Sequence, residues 1–438
     1  ATLGFDARVG SSTELYLRGV FSQFDDQEFR RRLTFGLGDA NVSGSGLNPV
    51  FDDIRDPADP DDETVIEIER DAKDRFERQR IRTVTFGGES QWGGLKAEYA
   101  LAWAKSSEFE NGSVDPTVFL GEFDNTLTVG FDYADERVPA YNILSGADAF
   151  FDPSTYELDE VELTALSDAE DEEFSGRFDL GYEWFTSAGT FTVQGGAKIR
   201  LREKRFNGEI EFYERDDYTL ADVLGEGPSN TLADLSPLPG LTEPTDFFRD
   251  NFASFELNAV DSALDSANED YVAEEDIFAG YLLGRFETDD LLVIGGVRYE
   301  RTDNRLSGFE TALFEEGQDL PGGGVAADDI VIVTPVEFER DYEHWLPSLN
   351  IRYTPLPEFV MRFAGYRSLV RPNLEQLAPR FELDENREAV IGNPTLEPFE
   401  AWNLDASFEY YMSNNGAITA AFFYKDIDNY VTTLVLDS

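Results

Sequence analysis

Clustered carboxylates are the side chains of this sequence best suited to bind a ligand. The segment 51–63, FDDIRDPADPDDE, carries seven acidic residues, and the segment 156–173 carries nine. Hard cations such as Ca²⁺ take roughly six to eight oxygen ligands, which clustered Asp and Glu can supply. Neither segment has the spacing of an EF-hand or of a glycine-rich calcium repeat, so a solvated acidic loop is the alternative interpretation. The candidate calcium ligands are Asp52, Asp53, Asp56, Asp59, Asp61 and Asp62.

The composition excludes several other kinds of site. The 438 residues include no cysteine and a single histidine, His344, so thiolate chemistry and paired-histidine zinc sites are excluded and a Ser-His-Asp triad is poorly supported. The 89 acidic side chains outnumber the 35 basic ones and give a formal charge of −54, which repels the phosphates of nucleic acid. No pair of carboxylates stands out as catalytic. The sequence therefore predicts that the protein is not an enzyme and does not bind nucleic acid.

The stretch 191–206, FTVQGGAKIRLREKRF, shows the kind of element that must position these side chains. Apolar residues such as Phe191 and Ile199 fall on odd numbers, and charged ones such as Lys198 and Arg200 on even numbers. This period predicts a β-strand with one apolar and one charged face. The same period predicts about fourteen strands, near 1–9, 14–36, 62–88, 95–109, 123–133, 138–145, 172–186, 190–206, 272–286, 291–306, 333–353, 358–369, 399–412 and 416–430.

Short and long connections alternate between these strands. The short ones lie at 9–14, 89–94, 186–190, 287–291, 354–358 and 412–416. No apolar run reaches the roughly 18–20 residues of a membrane-spanning helix. Strands of about ten alternating residues, with tight turns at one end and long loops at the other, are typical of an outer-membrane β-barrel. A soluble sandwich or propeller, with turns every eight to twelve residues, fits less well.

Basic residues are concentrated on two of the long predicted strands, among acidic ones. We expect these strands to extend outward as a hairpin with opposite charges paired across it; a positive patch that steers an anionic ligand is the alternative. The residues are Arg30, Arg31, Arg32, Arg70, Lys73, Arg75, Arg78, Arg80 and Arg82, with Glu67, Glu69, Asp74 and Glu77.

The C-terminal third carries recognisable motifs. They are WLPSLN at 345–350, the run Arg367, Arg371, Pro372 and Asn373, the run Asn393, Pro394, Leu396 and Pro398, and FYKDIDNY at 423–430. In these motifs the chain resembles the barrel of TonB-dependent outer-membrane receptors, in the branch abundant in Xanthomonas-, Caulobacter- and sphingomonad-like bacteria. Independently of that resemblance, we interpret 371–398 as a structured outer loop whose path is fixed by its prolines.

The resemblance implies an all-β fold, a transmembrane antiparallel barrel of the 22-stranded type, in the outer membrane of a Gram-negative bacterium. It also implies a plug domain and energy from the TonB–ExbB–ExbD complex. The chain departs from that pattern because residue 1 already reads as barrel and about eight strands are missing. An open sheet would leave two unpaired edges in lipid. We therefore expect 1–438 to be a partial barrel domain; a plugless pore is the alternative.

The function implied by the resemblance is active import of a scarce nutrient. For this branch it points to an oligosaccharide, with a ferric siderophore as the alternative ligand and a surface lipoprotein as a further partner seen in the family. Sugar recognition needs aromatic faces and hydrogen-bonding groups, and the predicted loops supply both. A passive porin and a secreted all-β enzyme are alternatives of other classes. The candidate ligand-binding residues are Phe150, Phe151, Tyr156, Tyr213, Tyr218, Asn230, Phe247 and Phe248.

Overall fold

The computed structural model describes residues 1–55, 64–135, 137, 140–227, 234–383, 389–412 and 416–431, with backbone alone at 381–383 and 389–391. The strands are β1 (Thr2–Val9), β2 (Thr13–Gly36), β3 (Asn41–Ser45), β4 (Asn48–Asp52), β5 (Ile66–Trp92), β6 (Leu95–Glu110), β7 (Ser113–Phe123), β8 (Thr128–Asp132), β9 (Ala140–Ser145), β10 (Glu157–Thr186), β11 (Gly189–Glu214), β12 (Glu256–Asn258), β13 (Tyr271–Glu287), β14 (Leu291–Phe314), β15 (Ile330–Leu356), β16 (Phe359–Val370), β17 (Phe381–Leu383), β18 (Ala389–Ile391), β19 (Phe399–Met412) and β20 (Gly416–Asp428).

Helices are few and lie in the connections. They are α1 (Ala147–Phe150), α2 (Glu243–Asp250), α3 (Ala259–Glu269) and α4 (Leu374–Leu377), with 3-10 turns at Pro153–Thr155, Leu220–Val223 and Phe252–Ser254. Among the described residues, no helix combines the length and the hydropathy needed to cross a membrane.

One large antiparallel sheet dominates the fold. Its strand order is β1-β2-β5-β6-β10-β11-β13-β14-β15-β16-β19-β20, and β7 and β12 join it beside β5, β10 and β11. Fourteen of the twenty described strands belong to this sheet, whereas about fourteen strands were predicted in all; β7 and β12 lie in segments that were predicted as loops. Its membership differs, because the predicted barrel strands 123–133 and 138–145 correspond to β8 and β9. Those strands pair with β3 and β4 in a separate four-stranded sheet.

The hairpins are longer than a membrane crossing requires. A tilted strand crosses the hydrocarbon layer in about 9–11 residues, whereas β2 has 24, β5 has 27, β10 has 30 and β11 has 26. Register between β2 and β5 runs without a shift from Thr13↔Ser90 to Gly36↔Glu67. The predicted outward hairpin is therefore confirmed, and about half of its length lies beyond the membrane.

The two faces of the sheet differ sharply near the tight turns. One cross-strand row joins Val84, Trp103, Phe174 and Leu201, and Phe174 on this row is 53% exposed. We call this the membrane face, because exposed apolar side chains repeat along it. The neighbouring row, on the opposite face, includes Glu173 and Arg202, which form direct cross-strand partners. We call that opposite face the lumen face.

Beyond the membrane zone, the connections build a water-soluble core. The small sheet, α1, α2 and the 3-10 turn at Leu220–Val223 pack against the outward ends of β5, β7, β10 and β11. Ile66 and Ile68 are fully buried there. Both are even-numbered on β5, like Val84 and Phe86, so this outer core covers the outward continuation of the membrane face.

Helix α3 takes the place of a strand in the upper wall. It begins after Asn258, whose side chain accepts a hydrogen bond from the Asp261 N–H at 3.1 Å, a normal N-cap. The Ser266 hydroxyl accepts from the Ile210 N–H at 2.9 Å and donates to the Ile210 carbonyl at 3.1 Å. The Ser262 hydroxyl accepts from the Phe212 N–H. These contacts cover the edge of β11 above the point where β13 begins.

Candidate functional site

The outward mouth of the lumen face carries a group of carboxylates. In the strand register, Glu160 of β10 is the partner of Val118 of β7, and Val118 is the partner of Asp71 of β5. Asp71 lies on the lumen face, so Glu160 lies on the lumen face as well. Burial and the carboxylates of Asp159 and Asp261 raise the pKa of Glu160 to about 7. Burial also raises the pKa of Glu162 well above its usual range, because removing a carboxylate from water disfavours its charged form.

Helix α3 contributes to the same acidic group. Asp261, Asp265 and Glu269 are four residues apart and therefore share one side of the helix. Asp261 and Asp265 act electrostatically on Glu160, and Asp265 and Glu269 act on Glu162. The mouth thus combines carboxylates from a strand and from the helix beside it.

The cations of the same region are already matched to acids. Arg32 lies 2.6 Å and Arg30 3.7 Å from Asp71, and Lys73 lies 2.8 Å from Asp115. Arg32 and Asp71 are direct cross-strand partners of β2 and β5, so the predicted pairing of opposite charges is confirmed there. Lys73 instead pairs with a carboxylate of β7. In the described parts of the chain, neither Glu160 nor Glu162 has a cation within 4 Å. Negative charge is therefore in excess at the mouth.

A second acidic group lies further down β5 and β6. One carboxylate oxygen each from Glu77, Glu108 and Glu110 falls within 4.8 Å of the others. Arg75 contacts both Glu77 and Glu110, the latter at 2.9 Å, and Gln79 donates to Glu77 and Glu108. The Arg75 guanidinium and the Gln79 amide thus already form hydrogen bonds or ion pairs with all three carboxylates.

Below the mouth the lumen face forms a cavity of about 590 Å³. Aromatic Phe206 and Tyr271 lie on one side of it, and polar Gln79 and Asp171 on the other. Lys204 contacts the Glu375 carboxylate of α4 across the cavity wall. The mixture of aromatic faces and hydrogen-bonding groups suits a polar organic ligand.

The predicted aromatic platforms lie mostly inside the outer core. Phe150, Tyr156, Tyr213, Tyr218 and Phe248 are at most 7% exposed, so they are packing residues in this structure and do not present a free face. Arg70 explains part of this arrangement, because its guanidinium lies between the Phe150 and Tyr156 rings, 4.8 and 4.5 Å from their centroids.

Two of the predicted aromatic residues are at least partly accessible. Phe151 is 43% exposed, and half-buried Phe247 stacks on Tyr218 with their ring centroids 4.3 Å apart. A role in ligand binding remains a prediction for these two. Asn230 lies outside the described residues.

The recognisable motif residues fix the return path from β16 to β19. Arg371 donates to the Glu300 carboxylate at 2.7 Å and to the Thr302 hydroxyl at 2.9 Å. Asn373 caps α4 in a capping box with Gln376. Leu374 and Leu377 of α4 then pack against Tyr271, Ala273 and Leu306.

The remaining motif residues are also held locally. The Asn393 side chain accepts from the N–H and hydroxyl of Thr395, and Arg367 contacts Glu400. Pro372 directly precedes Asn373, the N-cap of α4. Pro394 lies between Asn393 and Thr395, whose side chains are joined by a hydrogen bond. The interpretation of 371–398 as a structured loop is consistent with these contacts in its described part.

The predicted calcium ligands that the structure describes have local partners. Asp53 is fully buried, and both carboxylate oxygens accept from the Thr126 and Leu127 N–H groups. Asp52 accepts from the Asn41 amide and the Ile54 N–H. Calcium binding remains a prediction, and Asp56, Asp59, Asp61 and Asp62 lie outside the described residues.

Sequence reasoning placed Glu160 and Glu162 in an acidic segment but did not single them out. Their position depends on a register shift between Thr164 and Leu166, which changes the side of β10 on which a given parity lies. The spacing of Asp261, Asp265 and Glu269 was the available signal for an acidic helix face. Arg70 was counted as a hairpin charge, and nothing in its sequence neighbours indicated its burial.

The chain is similar to one family model and to several solved structures. The family model "TonB dependent receptor-like, beta-barrel" matches residues 8–438. Among solved structures, the open form of the ferric-catecholate import receptor Fiu from E. coli K12 shares 11% identity with a TM-score of 0.43, covering 98% of this chain and 57% of that one. The ferric yersiniabactin uptake receptor FyuA from Yersinia pestis shares 7% identity with a TM-score of 0.39, covering 97% and 52%.

A third similar structure is the hemophore receptor HasR of Serratia marcescens, at 10% identity and a TM-score of 0.39, covering 98% of this chain and 52% of that one. No curated protein matches the chain. The chain thus spans a little over half the length of these receptors. Since the family model covers nearly all of it, the chain belongs to the TonB-dependent receptors, a Gram-negative outer-membrane family of transporters, and its residues match the β-barrel part of that family.

Proposed function

We propose that this chain forms the barrel wall of a TonB-energised importer for an uncharged nutrient, with an oligosaccharide as the substrate class. The observation that carries the substrate class is the excess of acidic groups at the mouth, which Glu160 shares with Asp261, Asp265 and Glu269 on one side of α3. An anionic ligand approaching this mouth meets like charge in a region of restricted solvent, which costs free energy. A neutral sugar instead offers hydroxyl donors to carboxylate acceptors.

The lumen cavity supports the same substrate class. Tyr271 and Phe206 offer apolar ring surface, while Gln79 and Asp171 offer amide and carboxylate groups at hydrogen-bonding positions. Sugars combine apolar ring faces with equatorial hydroxyls, and this combination fits a cavity of mixed character. Energy from TonB–ExbB–ExbD, delivered through a plug domain, and a surface lipoprotein partner belong to the same proposal.

One variant tests the substrate class, because it should change the affinities for a neutral and for an anionic ligand in opposite directions. At pH 8.5, where Glu160, with its pKa of about 7, is mostly ionised, the substitution Glu160→Gln in the purified receptor should weaken the binding of a neutral oligosaccharide, because a strong acceptor is lost. The same variant should strengthen the binding of an anionic ferric tris-catecholate, because repulsion is relieved. Isothermal titration at two salt concentrations measures both effects.

A matched control removes one carboxylate elsewhere. Glu209 is exposed on β11, and its replacement by Gln should leave both affinities within about twofold. If wild-type protein binds the ferric chelate and no neutral sugar, the oligosaccharide proposal is wrong. If uptake of the bound ligand by cells continues after a protonophore is added, the proposal of energised transport is wrong and a passive pore is favoured.

A further inference from the structure

The segment that follows β16 turns inward and lies on the lumen face of the sheet. We call residues 371–380, which include α4, the inner strap. Glu275 and Asn304 share a row of the lumen face with Arg202, and the Arg371 guanidinium of the strap lies 3.7 Å from the Glu275 carboxylate. The strap therefore covers a part of the wall that the lumen would otherwise wet.

The inner strap forms one side of the lumen cavity. Glu375 and Arg380 of the strap line this cavity of about 590 Å³ together with Lys204 and Tyr271 of the wall. Because the strap carries two of the lining residues, its position sets the width of the cavity.

Side chains alone hold the strap in this place. Arg371 donates to the Glu300 carboxylate, and Lys204 contacts the Glu375 carboxylate. In the described part of the chain, no backbone hydrogen bond joins the strap to a strand of the large sheet. Helix α4 is a single turn, which has no stability of its own without tertiary packing. The strap thus depends on a few contacts with the wall.

The wall beneath the strap is shaped to receive it. A Cβ atom on Gly308 of β14 would lie 2.5 Å from the Pro379 carbonyl oxygen, so a residue other than glycine would prevent this approach. Ala273 of β13 is fully buried and packs with Leu374 and Leu377 of α4. Gly308 is therefore a positioning residue for the strap.

The seated strap leaves polar groups of the wall buried and incompletely matched. Glu275 and Asn304 are both buried. The Asn304 side-chain oxygen has no hydrogen-bond partner among the described residues. Water would reach both groups if the strap lifted, and a buried acceptor without a donor costs free energy. This cost offsets part of the apolar contact that holds the strap closed.

The start of the strap is paired with the wall on one side only. In the described register, the ladder between β15 and β16 ends at Ser348↔Tyr366, although β16 continues to Val370. Pro347, the next residue outward on β15, has no N–H to donate. On its other side β16 pairs with β19 up to Val370↔Phe399. The strap can therefore turn about the end of β16 without breaking a ladder of the wall.

We propose that the inner strap is a movable wall of the lumen cavity, which Arg371 and Glu375 hold closed and which opens by turning about the end of β16. The open state widens the cavity and exposes Ala273, Glu275 and Asn304 to the lumen. This movement belongs to the barrel wall itself and does not depend on which nutrient the cavity takes, so it is measured without a ligand.

Alkylation of a single introduced cysteine tests the movement, because these 438 residues contain no cysteine. The reporter is Ala273→Cys, beneath the strap, and the comparison reporter is Ala72→Cys, at an equally buried alanine of β5. The rate of reaction with a maleimide is measured in the detergent-purified receptor. Adding Arg371→Gln should accelerate the reaction at position 273 about tenfold, because a charge-assisted hydrogen bond of the closed state is lost. The rate at position 72 should not change.

Gly308→Ala tests the same movement without removing a charge. Its added Cβ meets the Pro379 carbonyl and should accelerate the reaction at position 273 by a similar factor. The matched control is Gly284→Ala, where an added Cβ meets no atom within 4 Å, so the rate should change less than about twofold. Arg371→Lys, which keeps the charge, should restore part of the protection.

Two results would overturn the proposal. One is a reaction at position 273 that stays equally slow with Arg371→Gln and with Gly308→Ala, because the strap would then be a fixed part of the wall. The other is equal acceleration at positions 273 and 72, because the substitutions would then loosen the whole barrel. Neither result bears on the oligosaccharide proposal, which the binding measurements test separately.

Discussion

The hairpin of β10 and β11 is held by different forces at its two ends. Near the tight turn, Phe174 and Leu201 are exposed on one face, while Arg200 and Arg202 pair with Glu173 and Asp171 on the other. At the outward end, Val161 and Tyr213 are buried under the small sheet and α2. Where lipid replaces water the wall needs no second layer, and where water returns the connections must supply one.

This difference teaches where the chain should be sensitive to substitution. The outer core resembles the interior of a soluble domain, in which a lost side chain leaves a cavity. The lumen face is solvated and carries ion pairs that water screens. We therefore expect mutational effects to fall steeply from the outer core, through the mouth, to the lumen ladder.

The largest effect is expected from Phe150→Ala. Phe150 is fully buried and contacts the Tyr141 and Phe35 rings and the Arg70 guanidinium. Its truncation should destabilise the outer core by about 3–5 kcal/mol. Hydrogen exchange of β8 and β9 should accelerate, while the heat-modifiable gel mobility that reports the intact barrel should remain.

Phe151→Ala is the control for that substitution. Phe151 is adjacent and 43% exposed, so its loss should cost less than about 1 kcal/mol. Equal effects of the two substitutions would contradict the description of this region as a packed core.

The second prediction concerns pH at the mouth. Because the pKa of Glu160 is raised to about 7, the folded state keeps a proton that the unfolded chain releases above its ordinary pKa of 4.5. The stability that protonated Glu160 gives to the mouth should therefore be highest below pH 4.5 and fall as pH rises to 7, by on the order of 2–3 kcal/mol. Protection factors of the α3 amides at pH 5 and pH 8, corrected for the intrinsic exchange rate at each pH, measure this loss.

Glu160→Gln should abolish most of that pH dependence and slow the exchange of α3 at pH 8. The control is Glu209→Gln, which removes an exposed carboxylate of the neighbouring strand and should leave the dependence intact. Equal protection factors of the α3 amides at pH 5 and pH 8 in wild-type protein would show that the mouth carboxylates do not oppose folding.

A smaller effect is expected at the covered edge of β11. Ser266→Ala removes the hydroxyl that both accepts from and donates to Ile210, so two backbone groups lose their partner. We expect a local cost of about 1–2 kcal/mol, seen as faster exchange of the Ile210 amide. Ser106→Ala is the control, because no hydrogen bond joins the Ser106 hydroxyl to another described residue; it should change nothing measurable.

The strands of the wall were predictable because they obey one strong rule. Lipid selects for apolar residues at every second position, as in Phe191 and Val193, and tight turns then set the register. The outer core was not predictable in the same way. Segment 123–133 alternates like a wall strand, yet it pairs in the small sheet, because alternation reports one buried face and not what buries it.

The candidate site shows the same limit. An aromatic residue in a predicted loop can be a ligand platform or a core residue, and Tyr218 and Phe248 could not be distinguished without the tertiary contacts that bury them. Predicting the acidic mouth would have required knowledge of the register shift in β10, which no local sequence signal marks. Cross-strand ion pairs such as Arg32–Asp71, in contrast, followed from charge alternation on two long strands.

The smallest effect is expected in the lumen ladder, from Asp171→Asn. Asp171 and Arg202 are 2.5 Å apart, but both side chains keep about a quarter or more of their surface exposed to solvent. Screening and side-chain entropy limit such pairs to under about 1 kcal/mol. The melting temperature in detergent should therefore fall by less than about 3 °C, and high salt should remove even that difference. A loss as large as that of Phe150→Ala would mean that the lumen face is a dry interior in the working receptor, with another segment packed over Asp171, and the contrast between the two ends of the hairpin would disappear.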